Sequence, residues 1–169
     1  NADGINLEGL HAHVAATQGV VGFAGAKQID NEDFWDVETD IIIPAALEGQ
    51  ITIERAKRLK AKMILEGANG PTYPEADDIL VGRDIVVVPD VICNAGGVTV
   101  SYFEWVQDMS SFFWTEDEIN ERLDKLMIQA VADVWNCAAD NKCTMRTAAY
   151  ILACERILRA RKERGIYPG

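Results

Sequence analysis

Positive charge is scarce in this sequence: 16 lysines and arginines stand against 27 aspartates and glutamates, for a formal net charge of −11. Nucleic acids and anionic membranes attract basic patches, so neither is expected as a partner, and the acidic surplus reads as a solvated surface. Histidine is scarcer still, with His11 and His13 alone, and the four cysteines, Cys93, Cys137, Cys143 and Cys154, include no Cys-x-x-Cys pair. No zinc spacing results, and the cysteines are expected as reduced thiols packed like small apolar groups. No run approaches the roughly 18 consecutive apolar residues that span a bilayer, and no basic-then-apolar leader opens the chain. A soluble, cytoplasmic protein is expected; the mitochondrial matrix stays open, because a targeting segment could precede Asn1. The opening Asn1-Ala2-Asp3-Gly4 reads as a turn inside a protein rather than a start, so we expect a piece or processed product of a longer chain.

Two chemical signatures are also missing. Gly19-Val20-Val21-Gly22-Phe23-Ala24-Gly25 imitates a phosphate loop, but its glycines have G-x-x-G-x-x-G spacing and no clear strand precedes them, so it is rejected as one. No Ser/His/Asp or Cys/His set suggests a nucleophile.

What is present alternates. Leu7 to Thr17 suggests a short helix. Asp40-Ile41-Ile42-Ile43 is a β-branched run closed by Pro44-Ala45-Ala46, which suits a strand buried on both faces. Thr52 to Lys60 carries Ile53, Ala56 and Leu59 at helical spacing. Lys62-Met63-Ile64-Leu65 is a second apolar run, followed by Glu66-Gly67-Ala68-Asn69-Gly70-Pro71 and a helix-like Pro74 to Leu80. Ile85-Val86-Val87-Val88 is a third, followed by Pro89-Asp90 and Asn94-Ala95-Gly96-Gly97. Such spacing predicts βαβ units and a parallel sheet. After about Ser110 the pattern turns helical. Thr115 and Glu118 form a capping box, and Ile119, Leu123, Leu126, Met127, Ala130 and Val134 share a face. A last helix is expected from about Thr144 to Arg164, with Ala148, Ile151, Leu152 and Leu158 inward and Gly165 and Pro168 as stop signals. The expected class is α/β, an incomplete Rossmann-like parallel sheet followed by C-terminal helices. We divide it into a partial dinucleotide-binding domain, 1–110, and a helical segment, 111–169, packed on it.

In parallel α/β sheets ligands bind beyond the carboxyl ends of the strands. All three runs end there in small residues, which let a flat or charged ligand approach the backbone, and Asn69 and Asn94 each offer a donor and an acceptor. Ordinary turns use the same residues, but three successive strand ends favour a polar ligand crevice. Asp90 is taken as the one carboxylate beside it, in a supporting structural role rather than a catalytic one.

Several of these segments are similar in sequence, order and spacing to the glutamate dehydrogenase family: Ile43-Pro44-Ala45-Ala46-Leu47-Glu48, Glu66-Gly67-Ala68-Asn69-Gly70-Pro71-Thr72, Pro74-Glu75-Ala76-Asp77 and, above all, Asn94-Ala95-Gly96-Gly97-Val98-Thr99-Val100-Ser101-Tyr102-Phe103-Glu104-Trp105. Arg146-Thr147-Ala148-Ala149-Tyr150 matches as well. The resemblance implies a modified Rossmann domain in a homo-oligomeric, commonly hexameric, enzyme. Such an enzyme oxidatively deaminates L-glutamate to 2-oxoglutarate and ammonia, passing hydride to NAD or NADP. Carried over residue by residue, it puts Asn69 and Asn94 beside the nicotinamide and its ribose, and Ala45 and Ala46 on the adenosine side. Val98 and Ser101 would touch substrate, the Ser101 hydroxyl meeting the side-chain carboxylate.

The family's catalytic lysine and aspartate, its second substrate lysine, its Gly-rich phosphate loop and its NAD/NADP selector all fall upstream of the position matching Asn1. This chain alone is therefore expected to be inactive toward glutamate, and its cofactor is NAD or NADP without preference. A leucine, valine or phenylalanine dehydrogenase shares the Asn-Ala-Gly-Gly-Val core, but an apolar substrate would not call for a hydroxyl at Ser101. The alternative of another class is a non-catalytic module that binds nucleotide weakly or serves assembly through an unprotected edge strand.

Overall fold

The computed structural model describes Asn1 and residues 3–165. The chain divides into two compact units, Asn1–Val37 and Glu38–Gly169. In the first, helix α1 (Leu7–Thr17) begins at Asn6, whose side chain accepts from the Gly9 amide, and ends at Gln18 in the left-handed region. The glycine-rich stretch after it forms turns, with the His13 Nε2 3.0 Å from the Val21 carbonyl and the His13 ring tilted against Phe23. A short 3-10 turn, Asp33–Asp36, buries Trp35.

The second unit holds a sheet of three parallel strands, β1 (Ile41–Ile42), β2 (Met63–Leu65) and β3 (Val86–Val88), in the order β1-β2-β3. Ile41 pairs with Met63 and Ile42 with Ile64, while Met63, Ile64 and Leu65 pair with Val86, Val87 and Val88. Residues in register share a face, so Ile42, Ile64 and Val87 lie on one side and Ile41, Met63, Leu65, Val86 and Val88 on the other. Helices α2 (Ile53–Arg58) and α3 (Pro74–Val81) form the connections and bury Ala56, Ala76 and Leu80 completely. Arg83, in the turn after α3, donates to the carbonyls of Ala56 and Leu59 and so satisfies the carboxyl end of α2.

After β3 come α4 (Asp90–Cys93), α5 (Gly96–Ser110), α6 (Glu116–Asn141) and α7 (Met145–Arg164). Ile92, Val134, Met145 and Ala148 form the core here, with Val86 and Val88 of β3 packed against it. The expected capping box at α6 is present in full, the Thr115 side chain accepting from the Glu118 amide and the Glu118 carboxylate accepting from the Thr115 amide. Gly165 ends α7 with φ +59; Pro168, the other expected stop signal, lies outside the described residues.

Three expectations about burial are corrected. Ile41 and Ile43 are 49% and 57% exposed, so the first strand is not buried on both faces. It is an edge strand, and the helical layer of α7 gathers over β3 at the opposite edge. Leu126 is exposed although Leu123, Met127, Ala130 and Val134 around it are turned inward, because it sits at the margin of the α6 stripe. Leu158 is exposed too: from Ala153 to Gly165 every residue of α7 and its cap is exposed, the helix having run past the surface on which Ala148 packs. Among the described residues no helix is long and apolar enough to cross a membrane, and no three His, Cys, Asp or Glu residues gather as a metal site.

Candidate functional site

The parallel order brings the carboxyl ends of all three strands to one edge, where the loops after them enclose an open crevice of about 940 Å³. Ala46, Glu48, Gly67, Asn69, Asn94 and Val98 are among its lining residues. That size suits a small-molecule or cofactor site. Ala45 faces Gly67: a Cβ at Gly67 would lie 3.1 Å from the Ala45 Cβ, so a larger residue there would require the first two loops to move apart by a few tenths of an ångström. The Ala68 amide donates to the Pro44 carbonyl at 2.8 Å and fixes that approach.

Asn69 and Asn94 meet. The Asn94 side-chain amide donates to the Asn69 Oδ1 at 2.7 Å and to the Gly67 carbonyl at 3.3 Å. The pair leaves the Asn69 amide as a donor and the Asn94 Oδ1 as an acceptor toward the crevice, a complementary set for a polar ligand. Val98, on the first turn of α5, is 70% exposed. Ser101 is exposed one turn further along, and its hydroxyl donates to the Gly97 carbonyl at 3.2 Å, a bond inside the helix. Its single proton must leave that carbonyl before it can be donated to a ligand such as a carboxylate.

Behind the crevice lies a cluster that sequence reading did not find. Arg146, in the first turn of α7, donates from Nε to Asp77 at 2.7 Å and from one terminal nitrogen to Glu66 at 2.7 Å, with Asp90 at 3.4 Å. The Glu66 side chain is wholly buried. Its second oxygen accepts from the Asp90 amide at 2.8 Å, and Asp90 in turn accepts from the Gly70 amide at 2.8 Å. Asp90 is thus a support, as expected, but not the only carboxylate near the crevice: Glu66 stands behind the same loops and Glu48 lines the opening. Burial works against the charge of Arg146, yet its hydrogen bonds to Glu66 and Asp77 prevail and raise its pKa. One signal was available in the sequence. A cation in the first turn opposes the helix dipole, so Arg146 at the start of α7 called for carboxylate partners.

Cys93 closes the same corner from α4. Burial, reinforced by the charges of Glu66 and Asp90, raises its pKa. The thiolate is the reactive form, so Cys93 should react slowly with iodoacetamide at mildly alkaline pH, well behind exposed Cys154. Peptide mass mapping at short times checks this; Cys93 labelled first would show that the corner opens.

A second cavity, of about 410 Å³, lies between α3, β3 and the C-terminal helices, walled by apolar groups such as Val81, Val86, Trp135 and Met145. It does not include the loops that follow the strands, and we place the site in the larger crevice, where donors and acceptors converge.

Fold and crevice together define a Rossmann-like α/β protein whose strand-end loops are shaped for a polar ligand. The family model described as Glutamate/Leucine/Phenylalanine/Valine dehydrogenase matches residues 1–165, and the chain belongs to that family. It is 51% identical over 168 residues to the glutamate dehydrogenase of Thermotoga maritima, covering 99% of this chain and 40% of that protein. It is 42% identical over 167 residues to the NAD-specific glutamate dehydrogenase of Clostridioides difficile, with the same coverage of each. Among solved structures, the hetero-hexameric glutamate dehydrogenase of Thermus thermophilus, in its Leu-bound form, superposes with a TM-score of 0.86 at 32% identity, over 99% of this chain and 39% of that one. The chain therefore spans about two fifths of the length of the relatives it matches.

Proposed function

We propose that this chain is the cofactor-side portion of a glutamate dehydrogenase, which oxidatively deaminates L-glutamate to 2-oxoglutarate and ammonia with NAD. The observation that carries the reading is the Asn69–Asn94 pair, set at the carboxyl ends of adjacent parallel strands in a chain of this family. NAD rather than NADP is favoured by the NAD-specific relatives. The cofactor, when bound, accepts hydride from the substrate. This chain's residues hold and orient it: Asn69 and Asn94 at the nicotinamide and its ribose, Ala45 and Ala46 along the adenosine side. Val98 and Ser101 contact the amino acid, with Ser101 turning from Gly97 to the side-chain carboxylate. Residues 1–110 form the partial dinucleotide-binding domain and 111–169 the segment that supports it.

Large apolar side chains also stand exposed further along α5, at Tyr102, Trp105 and Met109, a stripe that in water favours a covering partner. It supports a homo-oligomer, a hexamer by resemblance; the cytoplasm is our proposed location for it. Calorimetric titration with NADH, NADPH and glutamate, run beside a deamination assay, tests the reading on this chain and on the longer dehydrogenase that contains it. The longer protein should bind NADH and turn over glutamate, and this chain alone should not turn over. A longer protein that binds no dinucleotide, or that oxidises leucine in preference to glutamate, overturns the assignment.

A further inference from the structure

We propose that Arg146 is a positioning residue for the nicotinamide end of the crevice, holding the Asn69 loop against the Asn94 loop through Glu66 and Asp90. The inference rests on the reading of that crevice as a dinucleotide site.

The connection is continuous. Glu66 follows β2 directly and is held by Arg146 on one oxygen, while its other oxygen accepts from the amide of Asp90, which opens α4. Asp90 returns the link by accepting from the Gly70 amide, one residue beyond Asn69. Two side-chain-to-backbone bonds thus cross between the loops after β2 and β3, and both depend on carboxylates oriented by one guanidinium. The direct bond between Asn94 and Asn69 lies at the open end of the same bridge. Arg146 itself lies outside the lining of the crevice and acts from behind.

Three carboxylates, Glu66, Asp77 and Asp90, surround that single cation, so the cluster stays acidic and each carboxylate repels the others. A planar fork can hold all three at once; a lysine ammonium, a point charge, cannot match those directions. Arg146→Lys therefore keeps the charge while slackening the bridge. Glu66→Gln keeps the shape and removes the charge that Arg146 grips.

The test compares two ligands on the dehydrogenase containing this chain: NADH, and ADP, which has the adenosine and both phosphates but no nicotinamide riboside. Dissociation constants are measured by calorimetry for the unaltered protein, Arg146→Lys and Glu66→Gln. Both variants should weaken NADH by about tenfold, the loss of roughly one charge-assisted hydrogen bond, and leave ADP within about twofold. The ratio of the two constants is independent of the folded fraction, so a general loss of structure cannot produce it. Equal weakening of both ligands, or NADH affinity unchanged in both variants, overturns the positioning role. Absence of NADH binding by the unaltered protein overturns the dinucleotide reading first, and this proposal with it.

Discussion

Arg146→Met should lower the unfolding free energy of this chain by about 3–5 kcal/mol, the usual cost of removing one partner from a buried ion pair. Methionine fills most of the volume, so the loss is electrostatic. Glu66 would remain wholly buried with Asp77 and Asp90 beside it and no cation. Adding Glu66→Gln to that variant should recover more than half of the loss, since the amide oxygen can still accept from the Asp90 backbone and the stranded charge is gone. Urea denaturation followed by circular dichroism measures both. A methionine variant within about 1 kcal/mol of the unaltered chain would mean that water already reaches Glu66 and that the cluster holds little.

Ser101→Ala, in the dehydrogenase containing this chain, should lower kcat/KM for glutamate by roughly tenfold to a hundredfold, as expected for a hydrogen bond to a charged group worth about 1.5–3 kcal/mol. The structure argues for the lower part of that range. The hydroxyl already donates to Gly97, so binding a carboxylate exchanges a neutral bond for a charge-assisted one rather than creating one from nothing. Norvaline, which lacks the carboxylate, should lose much less. Steady-state kinetics with both substrates at matched folded fraction decides: equal losses would leave Ser101 a residue of the helix alone.

Local rules made most of the architecture legible. The helix Leu7–Thr17 and the capping box at Thr115 follow from periodicity and end chemistry, which act within a few residues. The three apolar runs gave the parallel sheet because strands joined by helical connections have few other ways to pair. The Asn69–Asn94 juxtaposition followed from that topology. What escaped depends on distant partners. Ile41 and Ile43 have strand-core composition, but their exposure is decided by which face a helix covers. Leu158 fits the helical stripe, but nothing local records where the surface beneath α7 ends. Glu66 and Arg146 are 80 residues apart, and neither residue type is expected in a core until the other is placed beside it.

That separation also fixes an order of events. During synthesis β2 and β3 leave the ribosome before α7 exists, so the strands can pair and their loops can fold while Glu66 has no cation to meet. In that interval burying its carboxylate costs more than it does in the finished unit, because water is stripped from a charge that Arg146 does not yet pair. Docking of Met145–Arg164 brings Arg146 to Glu66 and removes that cost. The loops that carry Asn69 and Asn94 thus draw part of their stability from a helix made after both of them.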